Sequence, residues 1–239
     1  MPSVGLVGGL GPESTIDYYR RIIQLWREDS PKSAPSIMID SLDVDLGIRL
    51  VQTDRPGLAA YLLESIDRLA RAGADFVAMA ANTPHVVFDD LVARSTVPLL
   101  SIVEVCADEA SRRELQIVGL LGTRFTMEAP LYPLVFARRS IEVAVPEEAD
   151  RSWLHERYIN ELLRGDFREE TRNGVLEIVR KLRDRIKVEG IVLGGTELPL
   201  LLKTETIEGL PTLDTTELHV RAIVQRLRFM ATHEASSAT

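Results

Sequence analysis

The sequence predicts an α/β fold built from two pseudo-symmetric α/β domains with parallel sheets, and three observations carry that prediction. A glycine-bearing apolar run recurs: Val4-Gly5-Leu6-Val7-Gly8 returns as Val118-Gly119-Leu120-Leu121-Gly122, an offset of 118 − 4 = 114 residues. A second segment, Phe76–Thr83, returns more loosely as Gly190–Glu197, and there Thr196 stands 196 − 82 = 114 residues after Asn82. Two pairs that share one offset indicate a duplicated half with matching strand-to-loop junctions. Between these runs, short apolar stretches bounded by Gly, Asn or Pro alternate with segments of helical period, the pattern of parallel strands covered on both faces by helices. The halves are expected at 1-100 plus 214-239 and at 101-213, with a ligand cleft between them.

Taken in order, Val4–Val7 reads as a buried first strand that runs into the glycine loop Gly8–Pro12. Ser14–Arg27 follows with helical spacing of its apolar residues, then Ser36–Asp40 as a second strand and Ser41–Arg49 as its loop. Gly57–Ala72 is a helix, Phe76–Ala80 an apolar strand ending at Asn82–His85, and Leu99–Ile102 a fourth strand feeding the helix Ile102–Arg113. The second half repeats the scheme with strands Gln116–Leu121, Ile141–Val145, Ile191–Leu193 and Thr212–Asp214. Its helices are Leu154–Leu163 and Thr171–Glu189, and its junction loops are Thr123–Thr126 and Gly194–Glu197. Thr216–Thr232 is expected to be a final helix packed back on the first half, and the small, polar tail Glu234–Thr239 to be disordered. In such folds ligands sit at the carboxyl ends of the strands, where all five junction loops fall.

The bulk numbers exclude several functions. A formal net charge of −8 over 239 residues argues against a nucleic-acid or anionic-membrane partner. No run of about 18 apolar residues occurs, so no transmembrane helix is expected. The N-terminus enters Ser3-Val4-Gly5 with no basic region or cleavage site, so no signal peptide is expected. The single cysteine, Cys106, excludes an intramolecular disulfide and fits a reducing cytoplasm. One cysteine and four scattered histidines form no ligand cluster, so no metal site is expected.

Each loop offers chemistry together with a plainer reading. Gly8-Gly9-Leu10-Gly11-Pro12 follows a strand and opens a helix, so backbone N–H groups near Gly9 and the helix N-terminus suit an anion; a tight turn needs the same glycines. It is neither a phosphate-binding Walker loop nor a dinucleotide fingerprint. Asn82-Thr83-Pro84-His85 has side chains able to bind a carboxylate or to cap a helix. Adjacent glycines in Gly194-Gly195-Thr196-Glu197 signal close backbone approach. His85 is a general-base candidate or a packed residue. Arg49, after the acidic stretch Asp40–Asp45, suits a bidentate carboxylate clamp or simply neutralises those aspartates, which are not spaced as a calcium loop. Cys106, among Val103, Val105 and Ala107, reads as a small buried hydrophobe.

These residues also carry a family likeness. Gly8-Gly9-Leu10-Gly11-Pro12-Glu13-Ser14-Thr15-Ile16-Asp17-Tyr18-Tyr19 resembles the N-terminal signature of the aspartate/glutamate racemase family. Gly119–Met127 resembles its mid-chain signature, Leu193–Leu201 its third, and Asp214-Thr215-Thr216 with His219 its closing segment. The likeness runs in register from about Val4 to about Arg226. It implies an amino-acid racemase (an isomerase) in the cytoplasm, independent of pyridoxal phosphate and of any other cofactor, often paired as a homodimer. It implies a small amino-acid or carboxylate ligand held at Gly9, Asn82, Thr83, Thr123, Thr126, Thr196 and Glu197, with Arg49 or Arg164 on a distal carboxylate.

Racemases of this family work with two cysteines, one on each face of the α-carbon. The first immediately precedes the Asn-Thr pair and the second immediately precedes Thr-Glu. Here those positions hold Ala81 and Gly195, and neither a methyl group nor a hydrogen can move a proton. Thr83 and Thr196 are adjacent hydroxyls but weak bases without activation, and Cys106 lies out of register with both positions. The two-thiol reaction is therefore expected to be lost. Four readings stay open: a racemase whose cysteines were removed, a repurposed enzyme of lyase or decarboxylase type on the same fold, a catalytically dead amino-acid-binding module, and a racemase with another base.

Overall fold

A computed structural model describes residues 2–237 of the chain, with side chains through residue 233. The described residues divide into two compact units, the first running to Ser101 and resuming at His219, the second spanning Ile102–Leu218.

The first unit begins with β1 (Ser3–Gly8), every residue of which is buried. α1 (Pro12–Asp29) follows, with Pro12 at its first turn, where a missing N–H costs nothing. Next come β2 (Ser36–Ser41), α2 (Val44–Thr53), α3 (Arg55–Arg71), β3 (Phe76–Met79), a single 3-10 turn at Thr83–Val87, α4 (Phe88–Arg94) and the short β4 (Leu99–Leu100). All four strands are parallel, in the order β2-β1-β3-β4. The two central strands are wholly buried and correspondingly apolar, whereas the edge strand β2 is half-exposed and carries Asp40. Val4, Leu6, Phe76, Ala78 and Ala80 form a core with Tyr18, Ile22 and Trp26 of α1 and with Val220, Ile223, Val224 and Leu227 of the last helix.

The second unit runs α5 (Ile102–Arg112), β5 (Ile117–Gly122), α6 (Arg124–Glu128), α7 (Leu131–Ala137), β6 (Glu142–Ala144) and α8 (Glu148–Asn160). After a 3-10 turn at Leu162–Arg164 come α9 (Glu169–Ile186), β7 (Gly190–Gly194), α10 (Leu198–Leu202), β8 (Thr206–Ile207), β9 (Leu210–Asp214) and the start of α11 (Thr215–Ser237). The sheet order is β6-β5-β7-β9-β8, parallel except for the antiparallel edge strand β8. Leaving that edge strand aside, the order repeats that of the first unit. The repeat extends to the register: Val4 pairs with Phe76 across β1 and β3, and Val118 with Gly190 across β5 and β7, each residue displaced by 118 − 4 = 190 − 76 = 114. The duplication seen in the sequence is thus a duplicated strand pairing.

Several elements depart from expectation. The stretch 41–49, expected as a loop, is largely helical because Asp43 caps α2, its Oδ1 accepting from Leu46 N at 3.0 Å. Asp54 then starts α3 in the same way, accepting from Gly57 N at 2.9 Å. Leu99–Ile102 is a strand only at Leu99–Leu100, since α5 begins at Ile102. The helix expected to begin at Leu154 begins at Glu148. The tail expected to be disordered continues α11 to Ser237; Ala238 and Thr239 lie outside the described residues.

Candidate functional site

In both sheets the strand order reverses around the first strand, which has the second strand on one side and the third on the other. Such switch points open a crevice at the carboxyl ends of the central strands. In the first unit these ends deliver Gly8–Pro12 and Ala80–His85, and in the second Thr123–Thr126 and Gly195–Glu197.

The glycine loop after β1 is shaped by its neighbours. Gly9 has φ +79, and a Cβ there would run into the backbone of Leu42, whose N–H donates to Gly8 O at 3.0 Å. Its own N–H donates to Thr15 Oγ1 at 2.9 Å, and the Thr15 hydroxyl donates onward to Gly11 O at 3.1 Å. The loop therefore closes on the first turn of α1, and the demand on Gly9 is conformational.

After β3, Ala81 is buried and its carbonyl accepts a hydrogen bond from His85 Nδ1 at 3.1 Å. Asn82 is buried and Thr83 half-buried at the head of the 3-10 turn. His85 is fully buried, stacked on Phe88, with ring centroids 5.1 Å apart. Since a carbonyl only accepts, Nδ1 carries the proton, and burial pulls the ring down to about 4. His219 stands 6.5 Å from it, centroid to centroid. Its Nε2 donates to Leu100 O at 3.2 Å, which leaves Nδ1 to accept from the Tyr18 hydroxyl at 2.9 Å. Burial brings His219 to about 3, and the neighbouring His85 pushes the same way. His85 is thus held neutral in packed surroundings. Tyr18 and His219 close the first and last family signatures on each other.

The acidic stretch is spoken for by structure. Asp40 pairs with Arg68 at 2.7 Å, Asp43 caps α2, and Asp45 is exposed in the first turn of that helix. Arg49 lies exposed on α2, and Arg164 lies exposed at the end of the second 3-10 turn. Among the described residues no group of three or more His, Cys, Asp or Glu stands close enough to hold a metal ion. No helix of the described residues is long and apolar enough to cross a membrane.

In the second unit Thr123 caps α6, its Oγ1 accepting from Thr126 N at 3.3 Å and lying 3.2 Å from Thr126 Oγ1; both residues are buried. The end of β7 holds the arrangement that matters most. Thr196 and Glu197 are buried, and the Thr196 hydroxyl donates to Glu197 Oε2 at 3.2 Å. Glu197 is engaged from the other side by Tyr158 of α8, whose hydroxyl donates to the same Oε2 and accepts from Glu197 N at 3.2 Å. Tyr158 lies directly over Gly195. A Cβ at residue 195 would stand 2.5 Å from both Tyr158 Oη and Cε2, and 2.8 Å from Cζ. The space that a side chain at this position would use is filled by a phenol. Burial pushes that phenol well above its ordinary pKa, and the Glu197 carboxylate adds to the push, so it is held protonated.

Tyr158 is the residue of this candidate site that sequence reasoning missed. It lies 195 − 158 = 37 residues before Gly195, on a helix with no motif of its own. The available signal was indirect: a glycine where a side chain is expected leaves room for a group from elsewhere. Cys106 is fully buried in α5 within the apolar core of this unit, and burial drives its thiol far up.

Comparison with known proteins gives the lineage. Residues 7–223 match the sequence model of the Asp/Glu/Hydantoin racemase family. The broad specificity amino-acid racemase RacX of Bacillus subtilis is 27% identical over 148 residues, 59% of this chain. The match spans only 63% of that protein's length. The crystal structure of an aspartate racemase homologue from Pyrococcus horikoshii superposes with a TM-score of 0.80 at 32% identity, covering 95% of this chain and all of that one. Picrophilus torridus aspartate racemase shares the fold at 19% identity, with a TM-score of 0.78 over 95% of this chain and 94% of that one. With four signatures in register and two sheets of the same strand order, the chain belongs to the Asp/Glu/Hydantoin racemase family.

Proposed function

We propose that this chain binds a small amino acid or related carboxylate without a cofactor, and that it does not racemise it, the two-thiol route being closed. One observation carries the second clause: the positions that need thiolates hold Ala81 and Gly195. Positioned acid–base groups contribute about 10²–10⁴-fold to proton transfer, and these two side chains contribute nothing. The first clause is supported by the loops at the strand ends. Asn82 and Thr83 in the first unit and Thr123, Thr126 and Thr196 in the second supply amide and hydroxyl groups at the two switch points. Arg49 and Arg164, both exposed, are the candidate contacts to a distal carboxylate. Gly9 serves by letting the chain turn there, since its N–H is taken by Thr15.

The test pairs binding with stereochemistry. Thermal unfolding is followed with L- and D-aspartate, L- and D-glutamate and a panel of other amino acids, and the same mixtures are resolved by chiral chromatography. Stabilisation by at least one compound with no interconversion of its enantiomers is expected. Interconversion at an enzymatic rate would overturn the mechanistic clause, and an absence of stabilisation across the panel would overturn the binding clause.

A further inference from the structure

We propose that Tyr158, backed by Glu197, takes the place of the missing second thiol as a proton-transfer group serving one face of a bound carboxylate's α-carbon. This rests on the reading that the β7 carboxyl end is part of the ligand site. The geometry points to a substitution of function because three features coincide. The phenol oxygen occupies the space that a residue-195 side chain would need, 2.5 Å from its Cβ position. Its proton already has a route, since it donates to a buried carboxylate, Glu197 Oε2. Both partners are held further: the Thr196 hydroxyl donates to the same Oε2, and the Glu197 backbone N–H donates to Tyr158 Oη. A buried phenol needs an acceptor for its proton in any case; here that acceptor is a carboxylate, a group able to take the proton over. Beside Ala81, whose methyl carries no transferable proton, stands His85, its Nδ1 on the Ala81 carbonyl at 3.1 Å and its ring buried and neutral.

The step balances within the dyad. As the α-C–H bond breaks, its electron pair passes into the enediolate of the substrate carboxylate. The proton goes to Tyr158 Oη, while the phenolic proton moves to Glu197 Oε2. Return runs the same path backwards and places a proton on the same face. In D₂O the dyad exchanges with solvent, so deuterium replaces the α-hydrogen with configuration retained.

The experiment follows aspartate and glutamate, each enantiomer separately, by proton NMR in D₂O with the intact chain, and analyses the recovered amino acid by chiral chromatography. Loss of the α-proton signal from one enantiomer without inversion is expected. Tyr158→Phe, which keeps the ring and removes the hydroxyl, should lower the exchange rate by about 10²-fold or more while ligand-induced thermal stabilisation persists. Glu197→Gln should lower it as well. Exchange in Tyr158→Phe within about threefold of the parent rate would overturn the assignment, being far below a proton-transfer effect. So would exchange accompanied by racemisation, which requires a group on the second face. Ligand stabilisation without exchange would overturn the role of the dyad and leave the binding reading intact, whereas loss of both would overturn the two together.

Discussion

Placing a cysteine at residue 195 is the obvious manipulation of this chain, and the structure predicts that it damages the fold before it adds any chemistry. The steric part is isolated by Gly195→Ala. Its Cβ would lie 2.5–2.8 Å from Cε2, Oη and Cζ of Tyr158, against ordinary contact distances of 3.4–4 Å. The ring must therefore retreat by most of an ångström. It is buried in α8 and tied at its far end to Glu197, so retreat also stretches the hydroxyl's bonds to the carboxylate and to Glu197 N. Overpacking of this kind costs about 1–3 kcal/mol, and a hydrogen bond to a charged group contributes about 1.5–3 kcal/mol. The sum, roughly 2.5–6 kcal/mol, is a large share of the 5–15 kcal/mol typical of a folded protein. The chain offers a convenient assay, because its two tryptophans are divided between the units: Trp26 in the first and Trp153 in the second. In a Trp26→Phe background, urea unfolding followed by Trp153 fluorescence reports the second unit. The Gly195→Ala penalty should vanish when measured in a Tyr158→Ala background, where no ring remains to clash; neighbouring sites couple in this way. A Gly195→Ala shift below about 0.5 kcal/mol, the range of an inconsequential surface change, would refute the reasoning.

Two further outcomes follow from buried groups. His85 and His219 have folded pKa values of about 4 and about 3, below the ordinary 6.5, so below pH 6.5 the unfolded chain binds more protons than the folded one. The first unit should keep its stability above about pH 6.5 and lose it as pH falls toward 4, by roughly 2–3 kcal/mol per histidine at pH 4.5. Urea curves read by Trp26 fluorescence in a Trp153→Phe background at pH 7 and pH 4.5 check this, and coincident curves would show the histidines to be solvated. Cys106 should not react with a disulfide reagent at pH 8 in the native protein and should react stoichiometrically after denaturation, because its thiol is fully buried and held in the neutral form. Rapid native labelling would contradict the packing of α5.

Both central sheets were legible from the sequence because wholly buried parallel strands must be apolar throughout and must end in residues that turn sharply, and β1, β3, β5 and β7 carry that demand with little competition. The 114-residue offset was legible for the same reason, and it reappears as a common register. Less was legible where local chemistry overrode the pattern. The segment 41–49 carries three aspartates and read as a loop, yet Asp43 is a cap and α2 follows it. The sequence by itself determined the fold, the family and the absence of a thiol at Ala81 and Gly195, since these depend on residue identities in register. Only the tertiary structure decided what stands in the empty place at Gly195. A glycine specifies room and leaves its occupant open, and the occupant comes from a helix 37 residues earlier (195 − 158) whose face toward β7 is set by packing. The protonation of His85 was likewise undecidable from sequence, because it follows from desolvation by residues that only folding brings together.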